Sequence, residues 1–220
     1  MLVDLHNHTR HSPDSRVDPR ELVTLARRIG LDGIAVTDHN AVGGVREAED
    51  AAGPGFLVIP ACEISTSEGH VLAYGVREAI PRDLGVRETV EQIAALGGVA
   101  VAAHPYRFWS GLGEVATTSA TFAAYETHNG RTLRPANERA RELARSNAVG
   151  STGGSDSHFL NELACAITAI NAGAMGLDGV LQAIAQGRTQ AQGHDRGAAG
   201  TLRYVTKCVG EWTLRGMRRI

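Results

Sequence analysis

The residues 4–15, Asp-Leu-His-Asn-His-Thr-Arg-His-Ser-Pro-Asp-Ser, gather side chains that can hold a metal ion. They carry three of the chain's 9 histidines, His6, His8 and His11, with Asp4 and Asp14 towards the edges. Leu2, Val3 and Leu5 read as a short strand running into a polar loop. Side chains alternate along a strand, so His6 and His8 project from one side. Two imidazoles on one face at a strand end make half of a metal site, although such a pair also suits an ordinary surface. The rest of the chain decides between these readings. It offers Asp38-His39-Asn40, Glu63, His104-Pro105, His128-Asn129 and Asp156-Ser157-His158.

Each of these groups sits at a predictable place. Asp18 is placed to cap a helix with Pro19 first and Glu21 completing a capping box. Leu22, Val23, Leu25, Ala26 and Ile29 recur at helical spacing, and Gly30 ends the run. A buried strand, Gly-Ile-Ala-Val-Thr, then delivers Asp38 and His39 to its end. The alternation continues with a helix around 42–52, a strand ending near Glu63, another strand from His70 and a helix near 86–97. Strands ending at His104 and about His128 follow, then a helix over 134–147, a short strand with a glycine-rich exit before Asp156, a strand over 164–171 and a helix over 176–185. The tail beyond residue 200 reads as a closing amphipathic helix with a basic end.

About seven strand-plus-crossover units predict a parallel sheet or barrel, with a doubly wound open sheet as the alternative. No GxGxxG or GKS/GKT phosphate loop follows the first strand, and no GxSxG elbow is present. In a β/α barrel the C-terminal strand ends converge on one mouth. His6, His8, His39, Glu63, His104, His128, Asp156 and His158 all fall at such ends. The early histidines therefore read as two members of a cluster drawn from the whole chain.

The composition narrows the partners. A net charge of −2 gives no general pull towards nucleic acid or anionic membrane. No apolar run approaches the roughly 18 residues of a membrane span, and the start does not read as a targeting segment. Cys62, Cys165 and Cys208 lack metal spacing, so reduced thiols and a cytoplasmic location are expected. The length and the 43% hydrophobic content suit a single domain over 1–220, its last segment, 159–220, closing the barrel. A metal site here must be built from imidazoles and carboxylates.

The ordered set DLHNHTxxSxDS, TDHN, CE after a strand, AHP, ETHNG and GSDSH closely resembles the PHP (polymerase and histidinol phosphatase) family, from Asp4 to His158. Small stand-alone metal-dependent phosphoesterases are the most similar branch. The resemblance implies a distorted (β/α)7 TIM-like barrel with two or three divalent ions (Mn, Zn or Fe) at the C-terminal mouth. Carried over by position, it assigns His6, His8, Glu63 and Asp156 to a first ion. Glu63 would bridge to a second ion held with His104 and His128, and Asp14, His39 and His158 would hold a third. An Asp at position 14, where some members have His, hardens that third site towards Mn or Fe. The implied reaction is phosphate-ester hydrolysis by a metal-bridging hydroxide, with Glu63 and Asp156 central.

The remaining polar residues carry competing readings. Arg107 and Arg131 each follow a proposed ligand by three residues and suit bidentate phosphate binding, or are solvated loop arginines. Phe108 and Trp109 would stack on a substrate ring or cover the barrel rim. Asp4 orients a ligand histidine or is a loop-entry carboxylate. His11 reads as exposed, His70 as a structural histidine opening a strand, and His194 as a residue near the C-terminus that could approach the mouth. Cys62 reads as a small buried hydrophobe, and Arg215, Arg218 and Arg219 as a solvated helix end.

The expected substrate is a small phosphomonoester or nucleotide, with short single-stranded nucleic acid as a further partner and no membrane or obligate protein partner. Alternatives are an exonuclease or 3′,5′-bisphosphate nucleotidase, a histidinol-phosphate phosphatase, and a non-catalytic PHP module.

Overall fold

The computed structural model describes residues 1–171 and 176–194 and the isolated positions 206, 209, 210, 213 and 216. Most of the tail expected to form a closing helix lies outside the described residues, including Cys208, Arg215, Arg218 and Arg219. Among the described residues no helix is long and apolar enough to cross a membrane.

The chain alternates strands and helices: β1 (Leu2–Asp4), α1 (Pro19–Arg28), β2 (Gly33–Val36), α2 (Gly43–Ala52), β3 (Leu57–Ser65) and β4 (His70–Tyr74). Then come α3 (Val86–Ala95), β5 (Val99–Ala102), α4 (Gly113–Ser119), β6 (Ala124–Asn129), α5 (Arg134–Ser146) and β7 (Gly150–Gly154). β8 (Ala166–Ile170), α6 (Leu177–Ala185) and β9 (Thr189–Gly193) follow. α1 starts where the sequence predicts, because the Asp18 carboxylate accepts the Arg20 N–H at 2.8 Å and Pro19 occupies a position needing no donor. α4 and β9 have no counterpart in the sequence reading.

The strands follow the order β7-β6-β5-β4-β3-β2-β1-β8-β9 and form a nearly closed, distorted TIM-like barrel. β1–β2–β3 and β5–β6–β7 are parallel sets. At the mouth the ring meets itself: Asn7 bridges Ser157 in parallel sense, and His8 N–H donates to Ser157 O at 2.8 Å. Below this seam β8 pairs antiparallel with β1, and its Thr168 hydroxyl both accepts from Gly153 N and donates to Gly153 O.

One expectation changes. β4 is not part of a strand-plus-crossover unit but is antiparallel to both β3 and β5. Only residues 66–69 connect it to β3, closed by Thr66 N–H to Gly69 O at 2.8 Å, whereas a parallel crossover needs about a dozen residues or more. Its first residue, His70, therefore pairs with Ser65 at the C-terminal end of β3 and reaches the mouth.

The side-chain period of two sorts the core. Val3, Ala35, Ile59, Ala61, Leu72, Tyr74, Val101 and Ala124 come from six strands and share one cluster, which is the barrel lumen; Val180, Ala183 and Ile184 of α6 pack on it. Cys62, Ile64, Val71, Ala73 and Tyr125 belong instead to the outer layer with α3 and α5, while Ile34 and Val36 pack under α1 and α2. Glu63 extends the lumen row Ile59–Ala61, His70 the row of Leu72 and Tyr74, and Glu126 the row of Ala124. The lumen is apolar below and charged at the top.

Close approach at the top leaves no room for a side chain on Gly154, where a Cβ would lie 2.3 Å from His6 Cβ and 2.8 Å from His6 N. Gly154→Ala should therefore destabilise the protein by about 1–3 kcal/mol. An unchanged denaturant midpoint would contradict the packing described for this seam.

Candidate metal centre

Glu63 stands at the middle of the mouth at 1% exposure. Its two oxygens divide the surrounding imidazoles between them. Oε2 lies 3.2 Å from each of His6 Nε2, His8 Nε2 and His39 Nδ1. Oε1 lies 2.8 Å from His70 Nδ1 and 2.9 Å from His104 Nε2. Asp156 approaches from β7, with Oδ1 3.5 Å from His8 Nε2 and 3.4 Å from His158 Nδ1. Asp14 completes a neighbouring group, its Oδ2 2.7 Å from His158 Nε2 and 3.8 Å from His39 Nε2.

These atoms converge into four groups with metal-ligand spacing: His8–Asp14–His39–His158, His6–His104–Asp156, His6–His8–Glu63 and His39–Glu63–His70. His6 Nε2, His8 Nε2 and His39 Nδ1 are buried and satisfy no hydrogen bond, yet all three face the same carboxylate oxygen. Buried imidazole nitrogens left without a hydrogen bond around one buried carboxylate are costly alone, and divalent cations between them would satisfy both. The clusters are consistent with a multi-metal site. Their nitrogen and oxygen donors suit Zn, Mn or Fe alike.

Electrostatics sorts the donors. Burial works to raise Glu63, but the imidazoles of His39, His6 and His70 hold it well below the usual carboxylate range. Burial likewise opposes ionisation of Asp156, and the Arg107 guanidinium and His6 overcome it. Asp14 is held low against burial by His158 and His39. Burial pushes His39 and His104 down, and pushes His158 to about 4 with help from Arg131 and His8. Against burial, Asp156 and Glu63 raise His8 to about 9, while Glu126, Asp156 and Glu63 raise His6.

Of the residues singled out in the sequence, eight meet in this cluster: His6, His8, Asp14, His39, Glu63, His104, Asp156 and His158. His128 does not join any of the four groups. Its strand shifts register between Glu126 and His128, so two steps on β6 match one on β7. Beyond this bulge Asn129 faces the centre instead, donating from Nδ2 to Glu126 Oε2 at 3.0 Å and Asp156 Oδ2 at 3.1 Å. The His128 ring turns towards β9, where a Cβ on Gly193 would come within 2.6 Å of its Nε2.

His70, read as structural, is in the cluster at 15% exposure, its ring edge-on to His39 and His104. The short turn before it was the available signal. Ser12 and Glu126 were also missed: Ser12 Oγ accepts the His39 N–H at 2.8 Å and lies 3.0 Å from His8 Nδ1, while Glu126 Oε1 lies 2.9 Å from His6 Nδ1.

Asp4 holds backbone rather than an imidazole, accepting the N–H groups of His6, Ser155 and Ala164. Arg107 ion-pairs with Asp156 across the mouth. Arg131 is buried and close enough to His158 to depress it. Phe108 and Trp109, at 86% and 84% exposure, stack edge to face on the Arg107 loop. His11 pairs with Glu47 at 2.8 Å outside the four groups, and His194 is exposed. Cys62 is buried, and burial pushes its thiol up to about 12.

A family model described as PHP domain matches residues 4–161, and one described as PHP-associated matches 134–189. An uncharacterized protein of Methanocaldococcus jannaschii is 38% identical over 117 residues, which cover 48% of this chain and 68% of the relative. Among solved structures, a two-domain protein of Bacteroides vulgatus, described as containing a predicted PHP-like metal-dependent phosphoesterase, superposes with TM-score 0.75 at 22% identity. The match covers 94% of this chain and 69% of that one. PsfC from Pseudomonas syringae superposes with TM-score 0.70 at 19% identity over 97% of this chain and 98% of its own.

The geometry separates two histidines that the sequence alone ranks the other way. After reconstitution with Mn²⁺, His70→Ala should bind fewer ions per chain than wild type, and His128→Ala should match it. Elemental analysis showing the reverse order would contradict the placement of these two rings.

Proposed function

The chain belongs to the PHP domain family, and on that premise we propose that it is a metal-dependent phosphoesterase acting on a small phosphomonoester or nucleotide. The observation that carries this reading is the buried Glu63 carboxylate, whose two oxygens face separate sets of imidazoles. His6, His8, Glu63 and Asp156 would hold one ion, and Glu63, His70 and His104 a second. Asp14, His39 and His158 would hold a third. Divalent ions held there would lower the pKa of water towards neutrality and neutralise phosphoryl oxygens.

The chain's own groups do the rest. Glu63 keeps its full negative charge because the surrounding imidazoles favour it against burial. The Arg107 guanidinium, ion-paired with Asp156 across the mouth, brings a fixed positive charge and a planar donor fork to where phosphoryl oxygens would lie. Arg131 adds a buried positive charge beside His158. The side chains of Glu63, His6, His8 and His104 are almost wholly buried, which strengthens the electrostatic interactions within the cluster.

A nucleotide is the sharper form of the reading, favoured by one observation. Phe108 and Trp109 expose aromatic faces beside Arg107, where a base could stack while the guanidinium holds the phosphate. Among the described residues histidinol phosphate has no comparable feature in its favour, and a cluster that gathers eight of the nine expected ligands argues against a non-catalytic module.

The direct test is hydrolysis of p-nitrophenyl phosphate and its bis ester, with and without Mn²⁺, followed by a panel of phosphorylated metabolites. Metal-dependent release from monoesters is expected. A fully metal-loaded protein inactive on the whole panel would refute the proposal.

Glu63→Gln should nearly abolish turnover with the fold retained. Substantial activity with metals bound would remove Glu63 from the bridging position. Arg107→Ala and Arg131→Ala should each lower kcat/KM about ten- to hundredfold, the loss of one charge-assisted hydrogen bond. Kinetics within twofold of wild type for both, at equal metal content, would mean that neither arginine binds substrate.

A further inference from the structure

We propose that Glu126 is a positioning residue that makes His6 a metal ligand by keeping the proton on its Nδ1. The inference rests on the metal centre proposed above and extends it to a carboxylate that none of the sequence assignments includes.

Glu126 is buried in the lumen row of β6, below the bulge. Its Oε1 lies 2.9 Å from His6 Nδ1. Its Oε2 accepts two donors, the His104 backbone N–H at 2.9 Å and Asn129 Nδ2 at 3.0 Å. One side chain thus ties the ends of β1, β5 and β6, and Asn129 carries the link to Asp156 on β7.

The donors fix the protons. Two donors at Oε2 set Glu126 in place as an acceptor, and its Oε1 accepts in the same way from the His6 ring, so His6 Nδ1 carries the hydrogen between them. A neutral imidazole then has its lone pair on Nε2, the atom facing Glu63 Oε2 at 3.2 Å. The two donors at Oε2 cannot reverse. A backbone N–H has no acceptor form. The Asn129 amide is pinned because its Oδ1 already accepts Arg131 N–H at 2.9 Å and the Thr132 hydroxyl at 3.0 Å.

The consequence is specific to proton position. In Glu126→Gln the amide oxygen must face those two fixed donors, so its NH₂ faces His6 Nδ1. Nδ1 then has to accept, and the His6 proton moves to Nε2, where it blocks coordination. A side chain of nearly the same shape would disable the ligand without removing it.

The test uses the full chain with Zn²⁺ as probe. In zinc-loaded wild-type protein, nitrogen NMR of the His6 ring should show the proton on Nδ1. Glu126→Gln should weaken the most tightly held Zn²⁺ about 10- to 100-fold in chelator competition. A proton on Nε2 in the wild type, or equal affinity in Glu126→Gln, would overturn the proposal. If the variant does not fold, the wild-type ring spectrum still decides. Wild-type protein that binds no Zn²⁺ would refute the metal centre itself. Binding that is equal in both proteins would refute only the role of Glu126.

Discussion

A carboxylate buried among imidazoles is tolerable only where positive charge is supplied around it, and Glu63 imposes that condition on the whole mouth of the barrel. The residues on its two oxygens come from the ends of β1, β2, β4 and β5, so the strands must end at one level and lean inward. The apolar lumen below and α6 packed on it supply the rigid base that such a cluster needs. Asp4 serves the same end from behind, pinning the backbone of His6 and Ser155 where the barrel closes.

Most of this arrangement is legible in the sequence because it depends on local signals. The cap at Asp18, the apolar runs before His39, Glu63 and His104, and the period of two in each strand are short-range features. They place eight of the nine expected ligands together. What escapes is set by relations between strands. A direction of travel decides His70: a strand opening at the bottom of a parallel barrel would keep it far from the chemistry. The tight turn at 66–69 reverses β4 and puts its first residue at the top.

His128 and Asn129 teach the same lesson at smaller scale. A single register shift exchanges which of two neighbours faces the centre, and no pattern in Glu-Thr-His-Asn announces it. The bulge is also what lets Glu126 and Asn129 act on the same side, forming the hydrogen-bonded layer beneath His6, His104 and Asp156. The motifs name the imidazoles well. They say little about the carboxylates and amides that set which nitrogen of each imidazole is free.

In the proposed centre Glu63 would bridge two ions, with His6 and His8 on one side and His70 and His104 on the other. Anomalous diffraction from Mn²⁺-soaked crystals, recorded at the manganese edge, tests it most directly. Two peaks, each within bonding distance of a different Glu63 oxygen, are expected. A map in which no peak touches Glu63, with manganese bound elsewhere or nowhere, would contradict it.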